Sequence, residues 1–578
     1  MDVAEIDEDA TLVAPSALES VKSAAGASAA ALITATLAAC GGGGDSSGSG
    51  TGTGGGGGGG GGGATPPTTA EASRFLAQAS MGANRAQIAR VQAIGYSAWI
   101  DEQFALAPST TRWDALVAGG FSDPSYKNNE GGFDASAWRK VLASPDTLRQ
   151  RVTLALSELF VTSIDSLTGG GWKAFAAANY LDLLEANAFG NHRTLLQQIS
   201  GNTAMGMYLT FRGSMKGNPV SGALPDENYA RELMQLFTIG LVQLNLDGTA
   251  QPSGGASVPT YGLADITGLA RVFTGWDFDL AGQSGSVGTA TPDFMRRPMI
   301  NYAARYETGA KTFLGTTIPA GTDPTAGLTM ALDAIFAHAN VAPFTSRQLI
   351  QRLVTSNPSP AYVARVATVF NNDGSGVKGN LKAVIKAILL DVEARDASVA
   401  AGVSAGKLRE PMLRFIAWAR AWSVASPSNA WAVGNTTDAA TRLGQSPLRS
   451  GSVFNFFRPG YVPPNSAIAT AGLVAPEFQI TNESSVVGAV NFMQRAISGG
   501  QGDLAADYSS LLALADDAVA LIAEINLVLG ANQLGVSTTA TIANAVATMP
   551  SGSDPSRLKR IYAALTLAVA APDFVVLK

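Results

Sequence analysis

Cysteine, histidine and charge are all scarce in this chain. Its 578 residues include one cysteine, Cys40, and two histidines, His192 and His338. A single thiol excludes an internal disulfide and any cluster built on thiolates. Two histidines exclude a histidine-rich metal centre, and no metal or cofactor is expected. Charged residues make up only 15%, the net charge is −6, and no dense lysine–arginine run occurs, so no nucleic-acid partner is expected. After residue 40 there is no run of 18 or more apolar residues, which removes a later membrane span. A Ser-His-Asp hydrolase has no support, because no Gly-x-Ser-x-Gly elbow follows a strand.

What is present begins at Cys40. It closes the run ALITATLAAC at 31–40, and residues 23–39 carry no charge. With Lys22 on its N-terminal side and small residues at the cut, the run reads as the apolar core of a secretory signal. Its LAAC ending is similar to a bacterial lipobox, in which the cysteine is acylated and becomes the mature N-terminus. The segment before Lys22 is acidic (Asp2, Glu5, Asp7, Glu8, Asp9, Glu19), unlike an ordinary signal. Either the start lies nearer Val21 or the signal carries an atypical extension. Residues 41–70 are rich in Gly, Ser and Thr, with ten consecutive glycines at 54–63. Such a stretch buries too little apolar surface to offset its ordering entropy, so it is expected to be a flexible tether. Its root-mean-square reach is roughly 30 Å at about 5–6 Å × √n. Gly41, rather than an aspartate, follows the cysteine. An outer-membrane address is therefore expected, with the body exported and held in the envelope through the lipid.

Residues 71–578 exceed what one hydrophobic core usually supports, so two packed lobes are one expectation. Apolar residues make up 46%, too many for a disordered chain. The periodicity predicts a mainly α body with long irregular loops and little β. Helices are expected at 71–81, 84–95, 144–163, 172–189, 192–211, 226–239 and 263–274. A later set is expected at 326–338, 342–355, 359–371, 378–391, 408–424, 476–496, 508–530, 537–548 and 555–570. Loops are expected at 117–133, 212–225, 245–262 and 279–325, the last as the lobe boundary.

The densest polar helix runs from Asp226 to Gly240. Asp226 can cap it, and Glu227 and Arg231 are spaced i,i+4 in the favourable order for an ion pair. Tyr229, Leu233, Leu236, Phe237 and Gly240 form an apolar face, and Asn228, Arg231, Glu232 and Gln235 share the other. The next helix ends in Arg271 and leads to Trp276. Glu227, Asn228, Arg231, Glu232, Arg271 and Trp276 are therefore the candidate site, in a cleft under the 212–225 and 245–262 loops. The competing reading makes Arg231 and its two glutamates a buried ion-pair network that fixes helix packing.

These segments resemble the bacterial domain-of-unknown-function-1800 family. The resemblance runs from about residue 72 to the C-terminus. It opens with ASRFLAQASMG at 72–82 and GYSAWIDEQ at 95–103. The 227–240 helix and the 270–276 segment are its most specific parts, and 349–365, 389–395, 407–414 and 452–464 also look like it. The resemblance implies an exported protein of unestablished activity. It also implies a possible partner, an exported protein of sulfatase- or phosphatase-like fold encoded nearby. Where members often carry His-Asp or His-Glu before Gly-x-Lys, this chain has Tyr306-Glu307-Thr308-Gly309-Ala310-Lys311.

The remaining features read as structure. His192 is expected in a capping or surface role beside Asn191, and His338 at the negative end of a helix dipole. The 371–376 segment is similar to a calcium loop but has Lys382 at its twelfth position, and it reads as a turn. Trp99, Trp172, Trp276, Trp418 and Trp422 could line a sugar groove, although each alone reads as core. The expected function is a lipid-anchored protein that binds a partner protein or an envelope polymer. The alternative is a hydrolase of an extracytoplasmic polymer that uses Glu227 and Glu232 as acid and base. Two carboxyls in a cleft, one held protonated, would favour the enzyme.

Overall fold

Side-chain caps start most of the helices. A computed structural model describes residues 66–283, 287 and 290–578; the signal segment, Cys40 and tether residues 41–65 lie outside the described residues. The first helix, Thr69–Ala79, opens with a capping box, in which Glu71 N–H donates to Thr68 Oγ1 and Thr68 N–H donates to Glu71 Oε2. Asn84, Asn191, Ser359 and Asn482 cap four later helices, each side chain accepting a free first-turn N–H.

Where the helices differ from expectation, the breaks have local causes. Gly95, at φ +78°, turns the chain as a stop signal should, but the helix resumes to Ala105 because Trp99 and Ile100 bury completely beyond it. The 192–211 segment is two helices, His192–Ser200 and Thr203–Tyr208. Asn202 starts the second by accepting from Ala204 N–H and Met205 N–H. Asp517 does the same inside 508–530, opening Ala518–Val528. Beyond four-residue helices such as Ala397–Ala400 and Ala467–Thr470, two α-helices were not expected: Arg112–Ala118, capped by Thr111, and Phe133–Ala143. They place Trp113 and Trp138 in the core, and the 117–133 loop shrinks accordingly.

The architecture is mainly α. Among the described residues, the strands form four antiparallel pairs of two or three residues per strand. The longest joins Lys311–Phe313 to Thr316–Ile318, with Thr312 opposite Thr317, and lies against the helix Leu263–Ala270. The described residues fall in one compact unit, and the 279–325 stretch runs within it. All five tryptophans considered for a sugar groove are buried, at 6% exposure or less. Trp418 Nε1–H donates to Tyr508 Oη at 3.0 Å and Trp99 Nε1–H to Gln87 Oε1 at 2.9 Å, as buried indoles require. Among the described residues no helix is long and apolar enough to cross a membrane.

Between residues 422 and 476 the chain is largely irregular, yet it buries Trp431, Leu443, Leu448 and Phe457. Its polar groups find partners inside, as buried backbone must. Thr436 donates to the Gln445 carbonyl, and Gln445 holds Met412 N–H and Glu410 at once. This segment forms one wall of the cleft described below.

Candidate functional site

The helix at 228–238 begins as α and widens to π over Leu233–Thr238. Ile239 N–H donates to Met234 O at 2.9 Å, and Thr238 Oγ1–H reaches Leu233 O, both five residues back. Asp226 serves its start, accepting Asn228 N–H at 2.8 Å. Widening rotates the face, so Met234 joins Tyr229, Leu233 and Phe237 in the core while Gln235 and Leu236 stay accessible. Single π turns of this kind recur at functional sites.

The predicted residues separate along this helix. Glu227 accepts Thr267 Oγ1–H at 2.7 Å and sits 3.6 Å from Arg231. The Arg231 side chain is 43% exposed, so this is a solvent-facing pair and not a buried network. Asn228 reaches only to Thr210 Oγ1, at 3.4 Å. Glu232 is buried, and its Oε2 has no hydrogen-bond partner. Burial pushes its carboxyl above the ordinary range against the pull of Arg231. Tyr208 nearby is raised to about 12, chiefly by burial, with Glu232 adding to the effect. Arg271 turns away from this helix, donating to the Ala310 carbonyl at 2.7 Å and lying 3.4 Å from Glu307. Trp276 is core, its Nε1–H bonded to the Val272 carbonyl.

Arg231→Met should therefore cost at most about 1 kcal/mol. Glu232→Gln should be neutral near pH 4 and increasingly stabilising as pH rises. A carboxyl raised in the folded state contributes stability below its ordinary range and loses it as pH climbs through the folded value. Chemical denaturation across pH checks both. A large loss in either variant would restore the buried network.

One histidine departs from expectation: His192 lies in the core, whereas His338 ends the Pro324–Ala337 helix as expected. Asn191 does cap its helix, accepting Arg193 N–H at 2.9 Å. His192, however, is fully buried among Phe160, Phe336 and Phe370 with neither ring nitrogen bonded. Burial and then Lys378 push it down to about 3, so it is neutral. His338 is half-buried, is lowered by burial and then by Lys378, and accepts Asn340 N–H on Nδ1 at 3.1 Å. At 371–376 Asp373 ties the turn by accepting from Ser375, Val377 and Asn380. No group of three or more His, Cys, Asp or Glu among the described residues is arranged to hold a metal ion.

The cleft that does combine apolar walls with convergent polar groups lies at the far end of the π segment. It holds about 570 Å³, within the range of ligand sites. Gln235, Leu236, Gly240 and Leu241 form one side, and Phe344, Gln348 and Arg352 a second. Val453, Phe454 and the run from Arg458 to Val462 close the third, over a floor that includes Glu158 and Leu159. Tyr261 Oη–H donates to Gln235 Oε1 at 2.9 Å, and Arg352 Nη1 to Gln348 O at 3.1 Å, which fixes both glutamine-bearing turns.

Beneath the floor lies a buried cluster of six charged residues: Arg151, Glu158, Arg352, Lys407, Glu410 and Glu477. Lys407 is its centre. Its Nζ donates to Glu477 Oε1 at 2.9 Å and to the Arg352 carbonyl at 2.8 Å, and lies 3.7 Å from Glu410. Arg352 donates to the Glu158 carbonyl at 2.9 Å and stands 3.7 Å from its carboxyl. Glu158 and Glu410 lie within hydrogen-bonding reach of each other. Burial and the adjacent Glu410 raise Glu158 well above the ordinary carboxylate range. Burial also pushes Glu410 upward, but Lys407, Glu158, Arg151 and Gln445 outweigh it and hold Glu410 below that range. The two carboxyls are thus driven apart, Glu158 upward and Glu410 downward.

None of the six residues proposed from sequence lines this cleft. Two signals could have found it. Glu158 is a lone acid in the apolar run VTLALSELFV at 152–161, and such a charge is rarely buried unpaired. In addition, three segments by which the chain resembles the family, 227–240, 349–365 and 452–464, line the cleft, and a fourth, 407–414, brings Lys407 into the cluster beneath it.

The family is shown over nearly the whole body. Residues 74–576 match the model described as protein of unknown function (DUF1800), and the chain belongs to that family. No curated protein and no solved structure matches it.

Proposed function

We propose that the chain is an exported, lipid-anchored binding protein whose ligand, a segment of an envelope polymer or of a partner protein, seats in the cleft between Gln235, Arg352 and Tyr461. The observation that supports this most is the convergence of three family-like segments on one open cleft, with a fourth, 407–414, in the charged cluster beneath it. Its apolar and aromatic walls supply contact area, and a few fixed polar groups supply orientation. An exported partner of sulfatase- or phosphatase-like fold is one candidate ligand. Leu236→Trp fills the cleft from a partly exposed position. It should abolish retention of envelope material while leaving the melting temperature unchanged, and undiminished retention would refute the cleft.

The anchor belongs to the same proposal. Cys40→Ser should abolish lipid labelling and move the chain from the membrane fraction to the soluble one. Unchanged membrane association would remove the lipoprotein reading.

One observation favours a second reading, a hydrolase of an extracytoplasmic polymer. Glu158 in the cleft floor is a carboxylic acid that burial, with Glu410 beside it, raises well above the ordinary range, the direction a general acid needs. Here the acid would be Glu158 and not Glu227 or Glu232. Glu158→Gln separates the readings, since it should leave binding intact and abolish any turnover of the bound polymer.

A further inference from the structure

The residues that line the cleft include two arginines, Arg352 and Arg458. Behind Arg352 lies the buried cluster, in which Arg151 and Lys407 stand with Glu410 and Glu477. Arg352 Nη1 donates to the Gln348 carbonyl at 3.1 Å and its Nε lies 3.7 Å from Glu158, which fixes this guanidinium in the cleft wall. At the rim, Arg458 is exposed and stacks at 4.4 Å over Phe454. Glu158 is the only acid lining the cleft.

We propose that the cleft recognises an oxyanion on its ligand, a carboxylate or a phosphate monoester, held between Arg352 with Gln348 on one wall and Arg458 at the rim. The apolar part of the ligand then lies against Phe344, Phe454 and Tyr461. Arginine suits this task, because its planar fork matches both anions and stacks on an aromatic face. The inference rests on the cleft being the binding site. It adds the chemical class of what enters.

The test uses the full chain and three small probes, phenyl phosphate, benzoate and benzyl alcohol, titrated by calorimetry. At least one anion should bind about tenfold more tightly than the alcohol, the effect of one desolvated charge pair. Added salt should weaken it. Arg458→Gln should remove most of the advantage, and Gln348→Glu should remove it entirely by giving Arg352 an internal carboxylate. Arg495→Gln, in a different surface groove, should change nothing. Which anion binds tells a carboxylate-bearing ligand from a phosphate-bearing one. If all three probes bind equally and Leu236→Trp abolishes them together, the cleft stands and the anion inference falls. If no anion binds, or if Leu236→Trp leaves binding untouched, the inference falls together with the cleft.

Discussion

Lys407→Met should cost the fold about 3–5 kcal/mol, because it strips the shared cation from two buried carboxylates. Glu477 would lose its 2.9 Å partner and Glu410 its nearest positive charge, while both stay almost wholly inaccessible to water. The double change Lys407→Met with Glu477→Leu should recover much of that loss, since an apolar pair of similar volume removes the stranded charge. Urea denaturation of the parent and both variants measures the effect. The same cluster sets a pH dependence. Glu158 is raised in the folded state, so its contribution is complete below the ordinary carboxyl range and is lost as pH rises through the folded value. Parent stability should therefore fall on the alkaline side of that window, and Glu158→Gln should flatten the fall. A Lys407→Met protein within about 1 kcal/mol of the parent would show that water reaches the cluster.

The second large effect is steric. A Cβ added at Gly268 would meet the Thr312 carbonyl oxygen at 1.8 Å and its carbon at 2.8 Å, backbone atoms that cannot rotate aside. The close approach lets the Leu263–Ala270 helix sit directly on the 311–318 hairpin. Leu314 N–H at the hairpin turn donates to Asp265 Oδ1 of the same helix at 2.7 Å. Gly268→Ala should thus destabilise by about 3 kcal/mol or more, the upper range of overpacking. Helix propensity alone would favour alanine by about 1 kcal/mol. Gly451→Ala, where nothing lies within 4 Å of the added carbon, is the control and should be nearly neutral. A stable Gly268→Ala protein would mean that the hairpin and helix separate readily.

Local signals carried much of the fold. Thr68 with Glu71, Asn84, Ser359 and Pro360 sit at helix starts that side-chain chemistry alone predicts. Helix interruptions at Asn202, Asn482 and Asp517 were missed because the apolar period runs on across them, although each residue is itself a capping type. Gly95 misled in the opposite direction. It marked a true turn, but the tertiary burial of Trp99 carried the helix past it.

The site was less legible for a physical reason. Sequence spacing shows which residues share a helix face, and so Glu227 and Arg231 stood out. Glu158, Arg352, Lys407 and Glu477 come from four separated segments, and only tertiary packing brings them together. Glu232 was the one predicted acid whose environment proved unusual, buried with an unpartnered oxygen. Nothing in its local sequence distinguished it from Glu227.

The central claim, that the cleft is where this family member meets its ligand, is tested most directly by site-specific photo-crosslinking in the 578-residue chain in cells. A photoreactive residue at Val462, on the cleft rim, should trap a discrete envelope species. The same residue at Val519, exposed on the Ala518–Val528 helix, should trap none. Adding Leu236→Trp should erase the Val462 product. Labelling at Val519 equal to that at Val462, or a Val462 product that survives Leu236→Trp, would contradict the account.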